Sequence, residues 1–241
     1  MPSILIVDFG TRRQAVELAA AATAIQRGLE EDFFPAWQTD PTVRRAMPIT
    51  VRVGTPDVLP TPDEWLLGLH PEPDRDDGAL GYHDKTPHGQ PVLKVFPWLA
   101  EDDGIDWTVD AFHEVLEALV DPELDRWLRL QDGRELAWEV CDAVEGDTYD
   151  KGGVKLSNFV LPAYFSLAAV APGTRLDFLG RVQRPGEIRP GGYNQISAGG
   201  KLEYVQGDYA GRRFKYERRS WRGVRRKARR RTGATPPAAP G

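Results

Sequence analysis

Three titratable side chains at helical spacing form the part of this chain most suited to chemistry. They are His113, Glu114 and Glu117, in the pattern H-E-x-x-E. Residues four apart share one face of a helix, so the imidazole of His113 and the carboxylate of Glu117 point the same way. Both groups bind zinc, and a carboxylate beside the first ligand is placed to accept a proton from a water that the metal activates. The pattern therefore predicts a metal site with His113 and Glu117 as ligands and Glu114 as catalytic base.

The pattern also has a simpler interpretation. It differs from the zinc motif H-E-x-x-H at its last position, and it is short enough to arise by chance. A half-buried helix whose polar stripe faces solvent would carry the same residues without a metal. The elements around the motif are needed to choose between the two.

A helix from Trp107 to Pro122 is predicted to carry the motif. Asp106 or Thr108 can cap its N-terminus, and Pro122 cannot continue the hydrogen-bond ladder. The apolar residues that recur at helical spacing are Val109, Phe112, Leu116, Leu119 and Val120.

A strand, a long helix and four more strands are predicted before the motif helix. The first strand is Ser3–Phe9, and an apolar stripe indicates a helix from about Arg12 to Glu30, a unit that Pro35 ends. The later strands are Ile49–Val53, Trp65–Leu69, Ala79–His83 and Pro91–Phe96. This order of elements predicts an α+β fold.

Five segments carry a resemblance to known proteins. They are FFPAW (33–37), GALGYHD (78–84), FHEVLEALVDP (112–122), EVCDAVEGDTY (139–149) and LSNFVLPAYF (156–165). They resemble a bacterial and phage protein family of unassigned activity whose members look zincin-like, over roughly residues 14–165. The element order, with a His-Glu motif on the second long helix, resembles more remotely the N-terminal subdomain of zincin metallopeptidases.

This resemblance implies a zincin-like domain with a mixed sheet, a backing helix and the motif helix. In zincins of the glutamate type a downstream acid completes the zinc site, which implies Glu139 as third ligand and Asp142 as its support or substitute. The edge strand of a zincin pairs with an extended substrate, which implies that the substrate-binding residues are Gly81, Tyr82 and His83. The implied function is zinc-dependent hydrolysis of peptide bonds.

The motif departs from those enzymes in having one histidine where they keep two. The additional carboxylate makes the site more anionic and the metal a weaker Lewis acid, which predicts slow hydrolysis. The alternative is a structural protein of the same fold, such as a virion component, in which any metal stabilises the fold and the assembly.

Calcium is another interpretation of the acidic residues near the motif helix. Hard carboxylate oxygens suit calcium, and the acids concerned are Asp121, Glu139, Asp142, Glu145 and Asp147. No twelve-residue calcium-loop pattern is present, so zinc is favoured. A solvated acidic loop that binds no metal is the third interpretation.

The chain after the motif helix is predicted to complete one domain and to continue into an extension and a tail. A hairpin is predicted around Asp132-Gly133 and a strand at Lys201–Val205. The predicted plan is a zincin-like domain over 1–170, a Gly/Pro-rich irregular extension over 171–210 and a basic tail over 211–241.

The tail has the opposite charge to the rest of the chain. The net charge is −5, yet residues 212–231 carry twelve Lys and Arg against one Glu. Basic and aromatic residues mixed in this way bind nucleic acid and other polyanions or an acidic protein, and a disordered solubilising end has the same composition. The predicted polyanion-binding residues are Arg225, Arg226, Lys227, Arg229, Arg230 and Arg231.

Composition limits the remaining classes. The 241 residues are 41% hydrophobic, which suffices for a core. No run of 18 apolar residues is present and the start lacks signal-peptide features, so we expect a cytoplasmic or virion-associated protein without a membrane partner. The single cysteine, Cys141, excludes a disulfide framework and, we expect, a cysteine-based zinc site. The expected partners are a peptide or protein substrate, a polyanion or acidic protein at the tail, and a virion or homo-oligomeric assembly.

Overall fold

A five-stranded mixed sheet forms one layer of the molecule, in a computed structural model that describes residues 3–58, 60–74 and 79–207. Its strands are β1 (Ser3–Asp8), β2 (Thr50–Gly54), β3 (Glu64–Leu69), β4 (Gly81–Lys85) and β5 (Pro91–Val95), in the spatial order β2-β1-β3-β5-β4. Strands β1, β2, β3 and β5 run parallel, whereas β4 pairs antiparallel with β5 at the sheet edge. The predicted α+β class with a mixed sheet is confirmed.

The burial of these strands follows from their residue patterns. Strand β1 is an unbroken apolar run, Ile4–Val7, and it is fully buried between two parallel neighbours. Such apolar runs are typical of strands that are covered on both faces. Strand β2, at the sheet edge opposite β4, mixes polar and apolar residues and is largely exposed.

A nearly continuous helical segment follows β1. Helix α1 (Ala15–Arg27) passes through a π-helical turn (Gly28–Phe33) into α2 (Phe34–Trp37). The prediction that Pro35 ends the helical unit is wrong, because Pro35 lies in the first turn of α2, where its missing N–H group would have no partner within the helix. Two short helices, α3 (Pro41–Ala46) and α4 (Pro97–Asp102), were not predicted.

The motif helix is confirmed as α5 (Trp107–Val120). The Asp106 side chain caps it by accepting a hydrogen bond of 3.1 Å from the Thr108 N–H group. All fourteen residues of α5 are buried, including its polar ones. The interpretation in which the polar stripe faces solvent is therefore wrong, and its acids and histidine lie inside the protein.

The chain after α5 forms a second sheet and a small hairpin. The strands are β6 (Trp127–Arg129), β7 (Glu135–Ala137), β8 (Thr148–Asp150), β9 (Lys155–Ser157), β10 (Tyr193–Ala198) and β11 (Lys201–Gln206). Strands β6 and β7 form the predicted hairpin, in which Gly133 adopts a positive φ of 84°.

Strand β10 connects the predicted extension to the rest of the structure. The strand predicted at Lys201–Val205 is confirmed as β11, which pairs with β10. Strand β10 in turn pairs with β7, through Ile196 opposite Leu136, so backbone contacts cross the predicted boundary at residue 170.

Two features concern surfaces. No helix among the residues described is long and apolar enough to cross a membrane. The basic tail, with the predicted polyanion-binding residues 225–227 and 229–231, lies outside the described residues.

Candidate metal centre

His113 and Glu117 meet on one face of α5, one helical turn apart. The Nε2 atom of His113 lies 2.9 Å from Oε1 of Glu117, and both side chains are at most 1% exposed. Their proximity follows directly from the i, i+4 spacing.

Asp142 is the next carboxylate to approach this pair. It opens a 3₁₀ turn, Asp142–Val144, and its Oδ1 atom lies 3.3 Å from the same Nε2 atom of His113. Glu139 is joined to Asp142 through Gln195, whose amide lies 2.9 Å from Asp142 Oδ2 and 3.4 Å from Glu139 Oε1. The direct approach of Asp142 to His113 favours Asp142 over Glu139 as the carboxylate that completes a set with His113 and Glu117.

Gln195 is a residue that sequence reasoning missed. It lies on β10, 53 residues beyond Asp142, and its side chain is buried. Among the residues described, its Oε1 atom has no hydrogen-bond partner. Strand β10 carries no recognisable motif, and a single glutamine in such a strand gives no signal of a site.

Cys141 also belongs to the cluster. Its thiol, the His113 imidazole and the Glu117 carboxylate offer atoms within 4.8 Å of one another. The backbone N–H of Cys141 also donates to Glu117 Oε1 over 3.4 Å. A cysteine-based zinc site was not expected from the sequence, but this position makes the Cys141 thiol a candidate ligand beside imidazole and carboxylate groups.

His83 approaches the cluster from β4, where it was predicted to bind substrate. Its Nδ1 atom lies 3.3 Å from Oε2 of Glu114 and 3.9 Å from Oε2 of Glu117. The side chain is 2% exposed, and its Nε2 atom has no hydrogen-bond partner among the residues described. The predicted substrate-facing histidine thus faces the motif helix.

The two neighbours of His83 in that prediction have different surroundings. A Cβ atom on Gly81 would lie 3.1 Å from Glu114 Oε1 and 2.9 Å from the Lys94 carbonyl oxygen, so glycine permits the close approach of β4 to α5. The Tyr82 hydroxyl donates to Asp74 over 2.6 Å, away from the cluster. All three residues are buried within the sheet edge.

Electrostatics at His83 favour positive charge. Burial lowers the pKa of this imidazole, but the hydrogen bond to Glu114 and the charges of Glu139, Glu114 and Glu117 outweigh burial and raise the pKa above its ordinary value. The cluster is therefore a buried place in which a cation is stabilised.

The cluster is enclosed by protein. Its side chains are 0 to 3% exposed, and they are His83, His113, Glu114, Glu117, Glu139, Cys141, Asp142 and Gln195. A separate cavity of about 540 Å³ lies beside the C-terminal end of α5, and Leu119, Asp121 and Arg126 contribute to its lining.

Two acids of the calcium interpretation have other partners. Asp121 accepts hydrogen bonds from the N–H groups of Asp125 and Arg126 at the end of α5. Asp147 forms ion pairs with Arg181 and Arg189. These contacts give both acids roles in stabilising loops.

Comparison with known proteins adds no assignment. The chain matched no protein-family model, no curated protein and no solved structure. The candidate function therefore depends on the residues and geometry of the cluster.

Proposed function

We propose that the protein binds a divalent metal ion, for which zinc is the favoured candidate, and uses it to hydrolyse peptide bonds. The ligands are His113, Glu117 and Asp142, with Cys141 next to them. The observation that supports this set is the pair of separations, 2.9 and 3.3 Å, from His113 Nε2 to Glu117 and Asp142. Ligand atoms bound tetrahedrally at 2.0–2.2 Å lie about 3.3–3.6 Å apart, which is close to these two separations from His113 Nε2.

Glu114 is the proposed base. It follows His113 directly in the chain, and His83 lies 3.3 Å from its carboxylate and so restricts its orientation. A bound zinc ion polarises a carbonyl group and lowers the pKa of a water molecule that it carries. Glu114 would accept the proton from such a water, a role that requires an ionised carboxylate close to the ligands.

A second candidate function is a closed metal site in a structural protein. Structural zinc sites are enclosed, whereas catalytic sites keep one position open to water or substrate. The 0 to 3% exposure of the cluster is the observation that favours this alternative. In that case the ion would stabilise the contact between α5 and the 3₁₀ turn at Asp142–Val144 and would hydrolyse nothing.

Replacing His113 with Ala is expected to remove the ion from the proposed site, because Nε2 of this residue lies close to both other proposed ligands, Glu117 and Asp142. Glu117→Ala is expected to weaken binding strongly, because it removes a carboxylate ligand 2.9 Å from His113 Nε2. The measurement is zinc content after loading and desalting, by elemental analysis, with at least one ion per chain expected for the parent protein. His88→Ala, which changes an exposed histidine, is the matched control.

Full zinc content in His113→Ala would show that the ion binds elsewhere. The structural alternative would be favoured by two results together. The His113→Ala variant would lose its zinc, and the parent protein would not hydrolyse an unfolded protein substrate. Zinc-dependent hydrolysis would favour the peptidase.

We also propose that the basic tail binds polyanions independently of the metal centre. Its twelve basic residues within 212–231 support this role, since neutralising phosphates releases counterions. Affinity for nucleic acid is expected to fall by about one log unit per log unit of salt for each phosphate neutralised.

Deleting residues 212–241 is expected to abolish that binding and to leave metal content and thermal stability almost unchanged. The segment 212–231 is strongly charged and poor in aliphatic residues, so it can bury little apolar surface. The measurement is a nucleic-acid titration between about 50 and 200 mM salt, a range over which such contacts weaken. Deletion of 232–241, which carries no charged side chain, is the control. Unfolding of the truncated chain, or salt-independent binding, would contradict the proposal.

A further inference from the structure

The two carboxylate oxygens of Glu117 face two different imidazoles. Oε1 lies 2.9 Å from His113 Nε2, and Oε2 lies 3.9 Å from His83 Nδ1. The first imidazole comes from α5 itself and the second from β4, which packs against α5. Glu117 therefore stands between two groups that bind metals.

His83, Glu114 and Glu117 form a metal-binding group of their own. Their ligand atoms all lie within 4.8 Å of one another, and each side chain is buried. The Nδ1 atom of His83 is 3.3 Å from Glu114 Oε2, which matches the spacing of about 3.3–3.6 Å between ligands on a tetrahedral zinc ion. Closing the 3.9 Å separation from Glu117 needs a shift of a few tenths of an ångström.

The His83 ring presents its Nδ1 side to the two acids, and this is the side that would bind an ion. Its Nε2 atom is buried and has no hydrogen-bond partner among the residues described. The contacts on its Nδ1 side, with Glu114 and Glu117, hold the ring in place. A neutral imidazole held in this way can present Nδ1 to an ion between the two carboxylates.

We propose that the cluster holds two divalent ions bridged by Glu117. His113, Asp142 and Oε1 of Glu117 bind the first ion, and His83, Glu114 and Oε2 of Glu117 bind the second. Two-metal sites of hydrolytic enzymes place their ions about 3.5–4 Å apart, a distance that one carboxylate can bridge. The inference rests on the proposed function for the first ion and adds the second.

Charge supports two ions over one. Four carboxylates line the cluster, and burying ionised carboxylates is costly unless positive charge accompanies them; they are Glu114, Glu117, Glu139 and Asp142. Metal ligation keeps both imidazoles neutral. Two divalent ions carry four positive charges, which would balance this set of four carboxylates in its fully ionised form.

The second ion also alters the role of Glu114. As a ligand of that ion, the carboxylate is no longer free to act as base, so the one-ion and two-ion forms differ in the residue that handles the proton. Binding stoichiometry, which needs no activity, separates the two forms.

The test is titration of the metal-free full chain with Zn²⁺ by calorimetry, with elemental analysis of the loaded protein. Two ions per chain are expected for the parent and for His88→Ala, and one for His83→Asn, which removes the ligand but keeps a side chain of similar polarity. Glu114→Gln is the second variant, also with one ion expected, in case His83→Asn does not fold. Loading with Mn²⁺ is expected to give a spin-coupled electron paramagnetic resonance signal in the parent and an uncoupled one in either variant.

The outcomes are distinguishable. One ion in the parent, lost in His113→Ala and kept in His83→Asn, overturns the two-ion proposal and leaves the proposed function standing. Two ions in both His83→Asn and Glu114→Gln also overturn it. No ion in the parent overturns both the two-ion centre and the proposed function.

Discussion

In the one-ion form of the site, replacing Glu114 with Gln is expected to lower the rate of peptide hydrolysis by about 10²–10⁴-fold, the typical cost of losing a general base. Glutamine has nearly the same shape as glutamate and can keep a hydrogen bond to His83, but it cannot accept the proton. Because His113, Glu117 and Asp142 are unchanged, the first ion is expected to remain. The measurement is the initial rate on an unfolded protein substrate, together with zinc content and thermal stability of the same samples.

Glu203→Gln is the matched control, since it makes the same change at an exposed position on β11. This control is expected to keep the parent rate. Unchanged hydrolysis in Glu114→Gln would place the catalytic base elsewhere in the protein. A parent protein that binds zinc but hydrolyses no substrate would support the closed structural site.

Replacing Trp37 with Ala is expected to lower the free energy of unfolding by about 3–5 kcal/mol, the usual cost of removing a buried aromatic side chain. Trp37 is fully buried. Its ring centroid lies 5.9 Å from that of Phe33, 6.2 Å from that of Trp138 and 6.4 Å from that of Phe165. Its indole N–H also donates to the Val160 carbonyl oxygen over 3.1 Å, so truncation removes a hydrogen bond as well as apolar contacts.

Trp37 is also linked to the candidate site through Val160, to which its indole is hydrogen-bonded. The N–H group of Val160 donates to the carbonyl of Val140 over 2.7 Å, and Val140 immediately precedes Cys141 and Asp142. The free energy of unfolding should be measured by urea denaturation, with Trp98→Ala as the control because Trp98 is 43% exposed. A loss for Trp37→Ala no larger than for Trp98→Ala would show that this aromatic contact contributes little.

The local features of the site were predictable from the sequence. The cap at Asp106, the apolar spacing and Pro122 define α5, and its 3.6-residue period brings His113 and Glu117 together. Asp132-Gly133 similarly predicts a hairpin, since Gly133 adopts the positive φ that the turn requires. These predictions succeed because each depends on interactions within a few residues along the chain.

The burial of the motif and the remaining members of the cluster were decided by tertiary structure. His83 lies 31 residues from Glu114, and Gln195 lies 53 residues from Asp142, so no short spacing connects them. His83 reaches α5 because β4 folds back antiparallel to β5 and becomes the edge strand beside the helix. Gln195 reaches Asp142 because β10 pairs with β7. Sequence by itself determined which side chains α5 presents, whereas sheet order, set by packing of the whole chain, determined the groups that they meet.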